Sequence, residues 1–154
     1  MFVTTMIFAL AALDSIEDTT GIHGMIKWPN DIYAGRRKLG GILTEFSVKG
    51  DSLLYVVLGM GLNVGWSPSH EQALYSATSL REETGQKVCR EQLVVSILEN
   101  LALFYVQEFS APEKRDALCA RWNQRSLVLG KRVEVDVMGR TVSGKATRIG
   151  REGS

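Results

Sequence analysis

Ile26-Lys27-Trp28-Pro29-Asn30-Asp31-Ile32 leads into Arg37-Lys38-Leu39-Gly40-Gly41-Ile42-Leu43-Thr44-Glu45, and after a turn Leu53-Leu54-Tyr55-Val56-Val57-Leu58 runs into Gly59-Met60-Gly61-Leu62-Asn63-Val64-Gly65. Proline pushes the residue before it towards extended geometry and cannot donate to a ladder, so residues 28–31 read as a loop at the end of a strand over 24–28. Ile32-Tyr33 and residues 39–46 flank Ala34-Gly35-Arg36-Arg37, a hairpin with glycine in its turn. Val48-Lys49-Gly50-Asp51 is a second turn. The unbroken apolar run from Leu53 to Leu58 reads as a central strand covered on both faces. With helices before and after, these strands predict an α+β chain, a mixed β-sheet flanked by helices.

Working outward, residues 3–16 are apolar around most of a helical circumference, as in a helix packed between other elements, and Thr20-Gly21 closes it. This start lacks a basic leader region, runs into Asp14, Glu17 and Asp18, and falls short of the ~20 apolar residues a bilayer requires. It reads as a core helix rather than a targeting segment. Ser79 with Glu82 resembles a capping box ahead of a helical turn that Gly85 ends. Residues 90–109 are the clearest helix, with Leu93, Val94, Ile97, Leu98, Leu101, Phe104 and Tyr105 on one face. Pro112 suits a first helical turn, predicting a short helix over 113–122. From Lys131 the texture becomes β: Arg132-Val133-Glu134-Val135-Asp136-Val137 alternates, Met138-Gly139-Arg140 turns, and residues 141–149 return. The domain reading is therefore 1–126 and a small second unit over 127–154.

Composition excludes several classes. The chain has 154 residues, 45% hydrophobic and 23% charged, with 18 basic and 17 acidic residues giving a net charge of +1. Such a chain has apolar surface enough to fold and no charge excess to recruit a polyanion, which argues against disorder and against nucleic acid as main partner. No segment is long and apolar enough for a membrane span. Cys89 and Cys119 have no C-x-x-C pair or histidine cluster beside them, against a zinc site; two reduced thiols in a cytoplasmic protein are simpler than a lone disulfide.

Three clusters could carry chemistry. Lys27-Trp28-Pro29-Asn30-Asp31 presents an ammonium, an amide and a carboxylate on a strand-end loop, a set that suits Mg²⁺ with phosphate. The plainer reading is a turn in which Asn and Asp bond their own backbone. In Arg36-Arg37-Lys38-Leu39-Gly40-Gly41, two glycines opening a strand let a ligand approach the backbone while Lys38 reaches a phosphate or carboxylate. Arg36 and Arg37 there read as solvated. Gly59-Met60-Gly61-Leu62-Asn63-Val64 fails as a dinucleotide fingerprint, because Val64 takes the third glycine position and Trp66-Ser67-Pro68 follows as loop rather than helix. It still makes a ligand wall, and Asn63 can both donate to and accept from an adenine edge.

In this order and at these separations, the three strings resemble the central block of biotin–protein ligase (biotin–[acetyl-CoA-carboxylase] ligase) catalytic domains, Lys27-Trp28-Pro29-Asn30-Asp31 being the most specific. Ala77-Thr78-Ser79-Leu80 before a helix, and Gly130-Lys131-Arg132-Val133 as the opening of an SH3-like barrel, are similar to the family too, so the resemblance covers nearly the whole chain from about residue 3. It implies a partial catalytic domain related to class II aminoacyl-tRNA synthetases over 1–126 and a truncated SH3-like domain over 127–154. It implies that biotin's carboxylate attacks the α-phosphate of Mg·ATP to give biotinyl-adenylate, which a lysine of the biotin carboxyl carrier protein then attacks. ATP, biotin and Mg²⁺ are the implied cofactors, and the cytoplasm the implied compartment. By this resemblance Lys38 is catalytic, between the biotin carboxylate and the α-phosphate, and Asp31 is catalytic and metal-bearing. Asn30 orients the site with it; Gly40, Gly41, Gly59 and Gly61 line the biotin tail; Asn63 sits at the adenine; Lys27 and Trp28 support the wall.

The chain departs from the family in one way. Ligases carry, upstream of the first helix, a Ser-Thr-Asn-like biotin segment and a Gly-Arg-Gly-Arg loop that folds over the adenylate. Neither string occurs here, and Gly35-Arg36-Arg37 lies on the wrong side of the Lys-Trp-Pro-Asn-Asp string. The resemblance therefore implies an incomplete ligase, a poor biotinylating enzyme by itself, with an open sheet edge that invites self-association such as a homodimer. No helix-turn-helix accompanies it, so a DNA-binding role has no support. Two other readings stay open: a non-catalytic, ligase-derived fragment that binds nucleotide or a partner, and a lipoate–protein ligase relative, against which the Lys-Trp-Pro-Asn-Asp string argues.

Overall fold

In the computed structural model, which describes residues 2–68, 76–110 and 115–150 and omits the side chains of 108–110, the first helix α1 spans Phe2–Thr20. Every residue from position 5 to 13 is buried, with Ser15 and Ile16, as expected of a helix apolar all round. It runs a turn beyond the predicted end. The Thr19 and Thr20 hydroxyls donate back to the Ser15 and Ile16 carbonyls at 2.6 Å, and Gly21, at φ 73°, caps the end by donating to the Glu17 carbonyl.

Four strands follow: β1 Gly24–Lys27, β2 Asp31–Ala34, β3 Arg37–Lys49 and β4 Ser52–Leu62. They pair in sequence order, and every ladder is antiparallel. The expected mixed sheet is thus an antiparallel meander, joined in parallel sense among the described residues only by the single bridges Ile26 to Ser126 and Lys38 to Ala77. Short connections force this, because parallel neighbours need a long crossover. Residues 28–30 form the predicted turn between β1 and β2, and the Trp28-Pro29 bond is cis.

β4 overturns a second expectation. It is an edge strand in the described sheet, not a central one, and Leu53, Leu54, Tyr55 and Val57 are each 50–58% exposed. An unbroken apolar run reports that both faces are apolar; it does not report what covers them. Only the lower half of β4 packs inward, where Leu58, Met60 and Leu62 meet the core.

α2 (Leu80–Thr84) carries the predicted cap: the Ser79 hydroxyl accepts from the Glu82 N–H, and Gly85 ends the turn at φ 69°. α3 (Arg90–Ser110) is α1's main partner. Its predicted face splits: Leu93, Ile97 and Phe104 are buried and Leu101 half-buried, while Val94, Leu98 and Tyr105 are more than half exposed. α4 (Arg115–Gln124) buries Leu118 and Trp122, the latter edge-on to Phe2; the Pro112 reading lies outside the described residues. Arg121 pairs with Asp14 at 2.6 Å, and Arg125 pairs with Glu17 and bonds His23, fastening α4 to α1.

β5 (Arg132–Val137) and β6 (Arg140–Lys145) form the expected hairpin, turned by Met138 and Gly139, both at positive φ. This two-stranded sheet is all of the anticipated barrel among the described residues. Both cysteines are free thiols, and no described helix is long and apolar enough to cross a membrane.

Candidate active site

β2 and β3 create the site through an irregularity. Ile32 faces Gly40 and Tyr33 faces Lys38, so Leu39 has no partner of its own and is driven fully into the core. A bulge of this kind re-aims the neighbouring side chain. Here Lys38 leans along the strand, and its ammonium meets Asp31 Oδ1 at 2.6 Å. Gly41, opposite Asp31, leaves the room: a Cβ there would lie 2.9 Å from that carboxylate oxygen and 3.8 Å from Lys38 Cε. Gly40 is needed for another reason, since its Cβ would run into the carbonyl oxygen of Gly61 on β4.

Lys38, Gly40, Gly41, Gly61 and Asn63 line one cleft of about 420 Å³, closed by Leu62, Pro68 and Ala77. Five of the predicted residues are therefore brought together, with Asp31 beside them through its pair with Lys38. Nothing stands within 4 Å of a Cβ built on Gly61, which leaves that part of the floor open to a flat or linear ligand. An ammonium and a carboxylate at one end, exposed backbone along the floor and an asparagine at the other end can hold an anion next to a polar ring.

The remaining predicted residues lie elsewhere. Asn30 does not aim at the cleft: its amide donates to the Ile42 carbonyl at 2.5 Å while its own carbonyl accepts from Ile42 N–H at 2.9 Å. It pins the loop against β3, and does so across the sheet rather than within its own turn. Lys27 and Trp28 line a different cleft, about 690 Å³, formed with Val128, Leu129 and the β5 strand, and Lys27 Nζ lies 5.9 Å from the Tyr33 ring centre. Gly59 lies farther up β4, where its Cβ would make ordinary contact with Leu43.

Residues 1–63 match the family model described as "Biotin/lipoate A/B protein ligase family". The "Bifunctional ligase/repressor BirA" of Bacillus subtilis (strain 168) is 32% identical over 154 residues, 97% of this chain and 46% of that protein. Over residues 1–63 the chain is thus similar to the biotin/lipoate A/B protein ligase family. The "Biotin--[acetyl-CoA-carboxylase] ligase" of Mycobacterium tuberculosis is 35% identical over 84% of this chain and 46% of its own length. Among solved structures, ligand-free biotin protein ligase from Aquifex aeolicus superposes with a TM-score of 0.81 at 25% identity, covering 99% of this chain and 66% of that one. The same enzyme in complex with biotin and ATP gives a TM-score of 0.82 at 24% identity, covering 99% and 62%. The chain spans less than half the length of the curated relatives named here, 46% of each.

Sequence reasoning missed how the cleft is wired. Lys38 N–H donates to the Ser76 carbonyl and Thr78 N–H to the Lys38 carbonyl, so residues 76–78 run beside β3 as a short wall. Asn63 donates its N–H to the Leu39 carbonyl at 2.8 Å and its side-chain amide to the Thr78 carbonyl at 3.0 Å. Arg37, expected to be solvated, pairs with Glu83 at 2.7 Å. Hydrogen bonding by Ser67, then by Ser79 and Thr78, against some burial, holds the Glu82 carboxyl below its ordinary range. The Ala77-Thr78-Ser79-Leu80 string was the available signal, but a capping motif does not tell which loop its carboxylate also reaches.

Proposed function

We propose that this chain carries the adenylate-forming site of an ATP-dependent biotin–protein ligase, and the observation that carries the reading is the Lys38–Asp31 pair at the end of a glycine floor that reaches Asn63. A carboxylate oxygen of biotin attacks the α-phosphorus of ATP; the bond to the bridging oxygen breaks, and pyrophosphate leaves. A carrier lysine amine then attacks the acyl carbon, and AMP leaves. Lys38, moving from Asp31 to the ligand, stabilises the charge that grows on the phosphoryl oxygens, the usual dominant contribution in such transfers. Gly40, Gly41 and Gly61 let biotin's tail run against backbone, and Asn63 takes the adenine edge with the bonding capacity Thr78 leaves free. Lys27, Trp28 and Gly59, away from this cleft, support it rather than touch the reacting atoms.

Asp31 is the residue that would hold Mg²⁺ brought with the nucleotide. No trio of His, Cys, Asp or Glu gathers among the described residues, and Asp31 stands beside this end through its pair with Lys38; one carboxylate there fits a cation held mostly by phosphate oxygens. Bound there, it neutralises phosphate charge.

The acceptor is a biotin carboxyl carrier domain, the compartment the cytoplasm, and a homodimer would use the open β4 edge. The test mixes the purified chain with Mg·ATP labelled at the α-phosphate and either biotin or lipoate. Biotinyl-AMP formed with biotin, and none with lipoate, supports the reading; adenylate with lipoate alone replaces it with the lipoate relative, and none with either leaves a binding fragment. The cleft is open, and an anhydride is protected only where water is excluded. Pyrophosphate release should therefore outrun labelling of an added apo carrier domain; equal rates would show the adenylate to be sheltered.

A further inference from the structure

α2 has only the residues Leu80–Thr84, yet its two acidic side chains reach opposite walls of the candidate cleft. Glu83 pairs with Arg37 at 2.7 Å, and Arg37 immediately precedes Lys38. Glu82 accepts three hydroxyl bonds: from Ser67 at 2.7 Å, from Ser79 at 3.2 Å and from Thr78 at 3.4 Å. Helix capping accounts for the Ser79 bond alone. Ser67 belongs to the opposite wall, next to Pro68, which lines the cleft with Asn63. Backbone bonds reinforce this bridge, Leu80 N–H to the Asn63 carbonyl and Arg81 N–H to the Val64 carbonyl, both at 2.9 Å.

The geometry points to Glu82 and Glu83 as positioning residues that hold the Lys38 wall and the Asn63 wall at a fixed separation across the nucleotide, a role that rests on reading this cleft as the ATP site. Neither carboxylate touches the cleft floor. They act through Ser67 and Arg37, and a rigid spacing matters because one ligand must meet both ends at once.

Charge and position predict opposite signs. Both glutamates are negative and close to a cleft read as binding a polyanion, so removing either charge should tighten Mg·ATP binding if only Coulomb forces count. If they position the walls, removal should weaken it. Ser67→Ala breaks the same bridge without altering charge, and Ser67→Thr keeps the hydroxyl.

The experiment titrates Mg·ATP by calorimetry into the chain and into Glu82→Gln, Glu83→Gln, Ser67→Ala and Ser67→Thr, and follows amide hydrogen exchange at Asn63, Leu80 and Arg81 without ligand. Glu82→Gln, Glu83→Gln and Ser67→Ala should each weaken Mg·ATP on the order of fivefold, the scale of one solvent-screened charged contact, while Ser67→Thr binds as the parent does. The Ser67→Ala, Glu82→Gln double variant should lose no more than the larger single loss, because the two share one bridge. Amide exchange should quicken in Ser67→Ala and Glu82→Gln. Unchanged or tighter binding in the glutamine variants overturns the positioning role while leaving the nucleotide site intact. Unchanged exchange in Ser67→Ala removes the tether whether or not ATP binds. A parent chain that takes no Mg·ATP while exchange still quickens defeats the nucleotide reading, and the positioning role with it.

Discussion

At the lower end of the β3–β4 ladder, Gly40 faces Leu62 and Gly41 faces Gly61, with Leu39 and Ile42 buried and Lys38 held by Asp31. At the upper end of the same ladder, Phe46 faces Val56 and Ser47 faces Tyr55, with Phe46, Val48, Leu53, Leu54 and Tyr55 roughly half exposed. One end spends small residues to let backbone and ligand approach; the other carries large apolar residues with little laid over them. A groove of about 580 Å³ opens there between β4 and α3, lined by Leu54, Leu58, Leu98 and Tyr105. The proposed chemistry thus sits at the covered end, and the open end carries the apolar surface that association would use.

The largest break in that comparison should come from Lys38→Ala. If Lys38 is the principal charge donor, single-turnover formation of biotinyl-AMP should slow by about 10²–10³-fold, the loss typical of one preorganised donor. The thermal midpoint should barely move, because Lys38 is partly exposed in its pair with Asp31. Parent-like turnover by Lys38→Ala would take the residue out of the mechanism.

Glycine for glycine, the two ends should differ in stability. Gly40→Ala drives a methyl into the Gly61 carbonyl, backbone against backbone, and neither can retreat without opening the ladder. Overpacking of this kind costs about 1–3 kcal/mol. Gly59→Ala meets nothing closer than Leu43 at 3.9 Å, and should stay within about 0.5 kcal/mol. Thermal or urea denaturation of both variants checks the contrast, and equal losses would erase it.

The open end should answer to polar substitution in the opposite manner. Leu54→Lys and Leu98→Lys replace side chains that are each 57% exposed, so the folded chain should lose little stability. An exposed apolar patch beside an unpaired edge favours association. Sedimentation velocity should show the double variant smaller, or less concentration-dependent, than the parent; identical profiles would assign association to another face, or to none.

Legibility followed the same division. Covered elements announced themselves: α1 by its all-round apolarity, the Ser79 cap by its spacing to Glu82, the candidate cleft by Lys38 beside paired glycines. Uncovered ones misled. The Leu53 to Leu58 run looked central because a sequence shows how apolar a strand is, not what lies beside it, and the face of α3 looked wider than the line Leu93, Ile97, Phe104 that α1 buries. Within the site, Lys38, the glycines and Asn63 were readable as residue types with reach or clearance. The partner of the Asn30 amide, Ile42 twelve positions away, was not readable, because local turn chemistry does not record a bond across the sheet. The links from Glu82 to Ser67 and from Glu83 to Arg37 join segments remote in sequence, and no periodicity records them.

The smallest effect lies far from both ends, where α1 meets α4. The Glu17 carboxyl is held below its ordinary value of 4.5, first by a hydrogen bond from His23 and then by one from Arg125. A carboxyl whose folded pKa is depressed adds stability above its unfolded pKa and loses it as pH falls through the folded one. The parent should therefore exceed Glu17→Gln in thermal midpoint near neutrality, with the gap closing as pH drops below 4.5. Because the Glu17 side chain is 37% exposed, the gap should be small and shrink with added salt. Midpoints measured from about pH 6 to 3 at low and high salt decide it. A gap independent of pH would mean that Glu17 contributes through packing along α1 rather than through its charge.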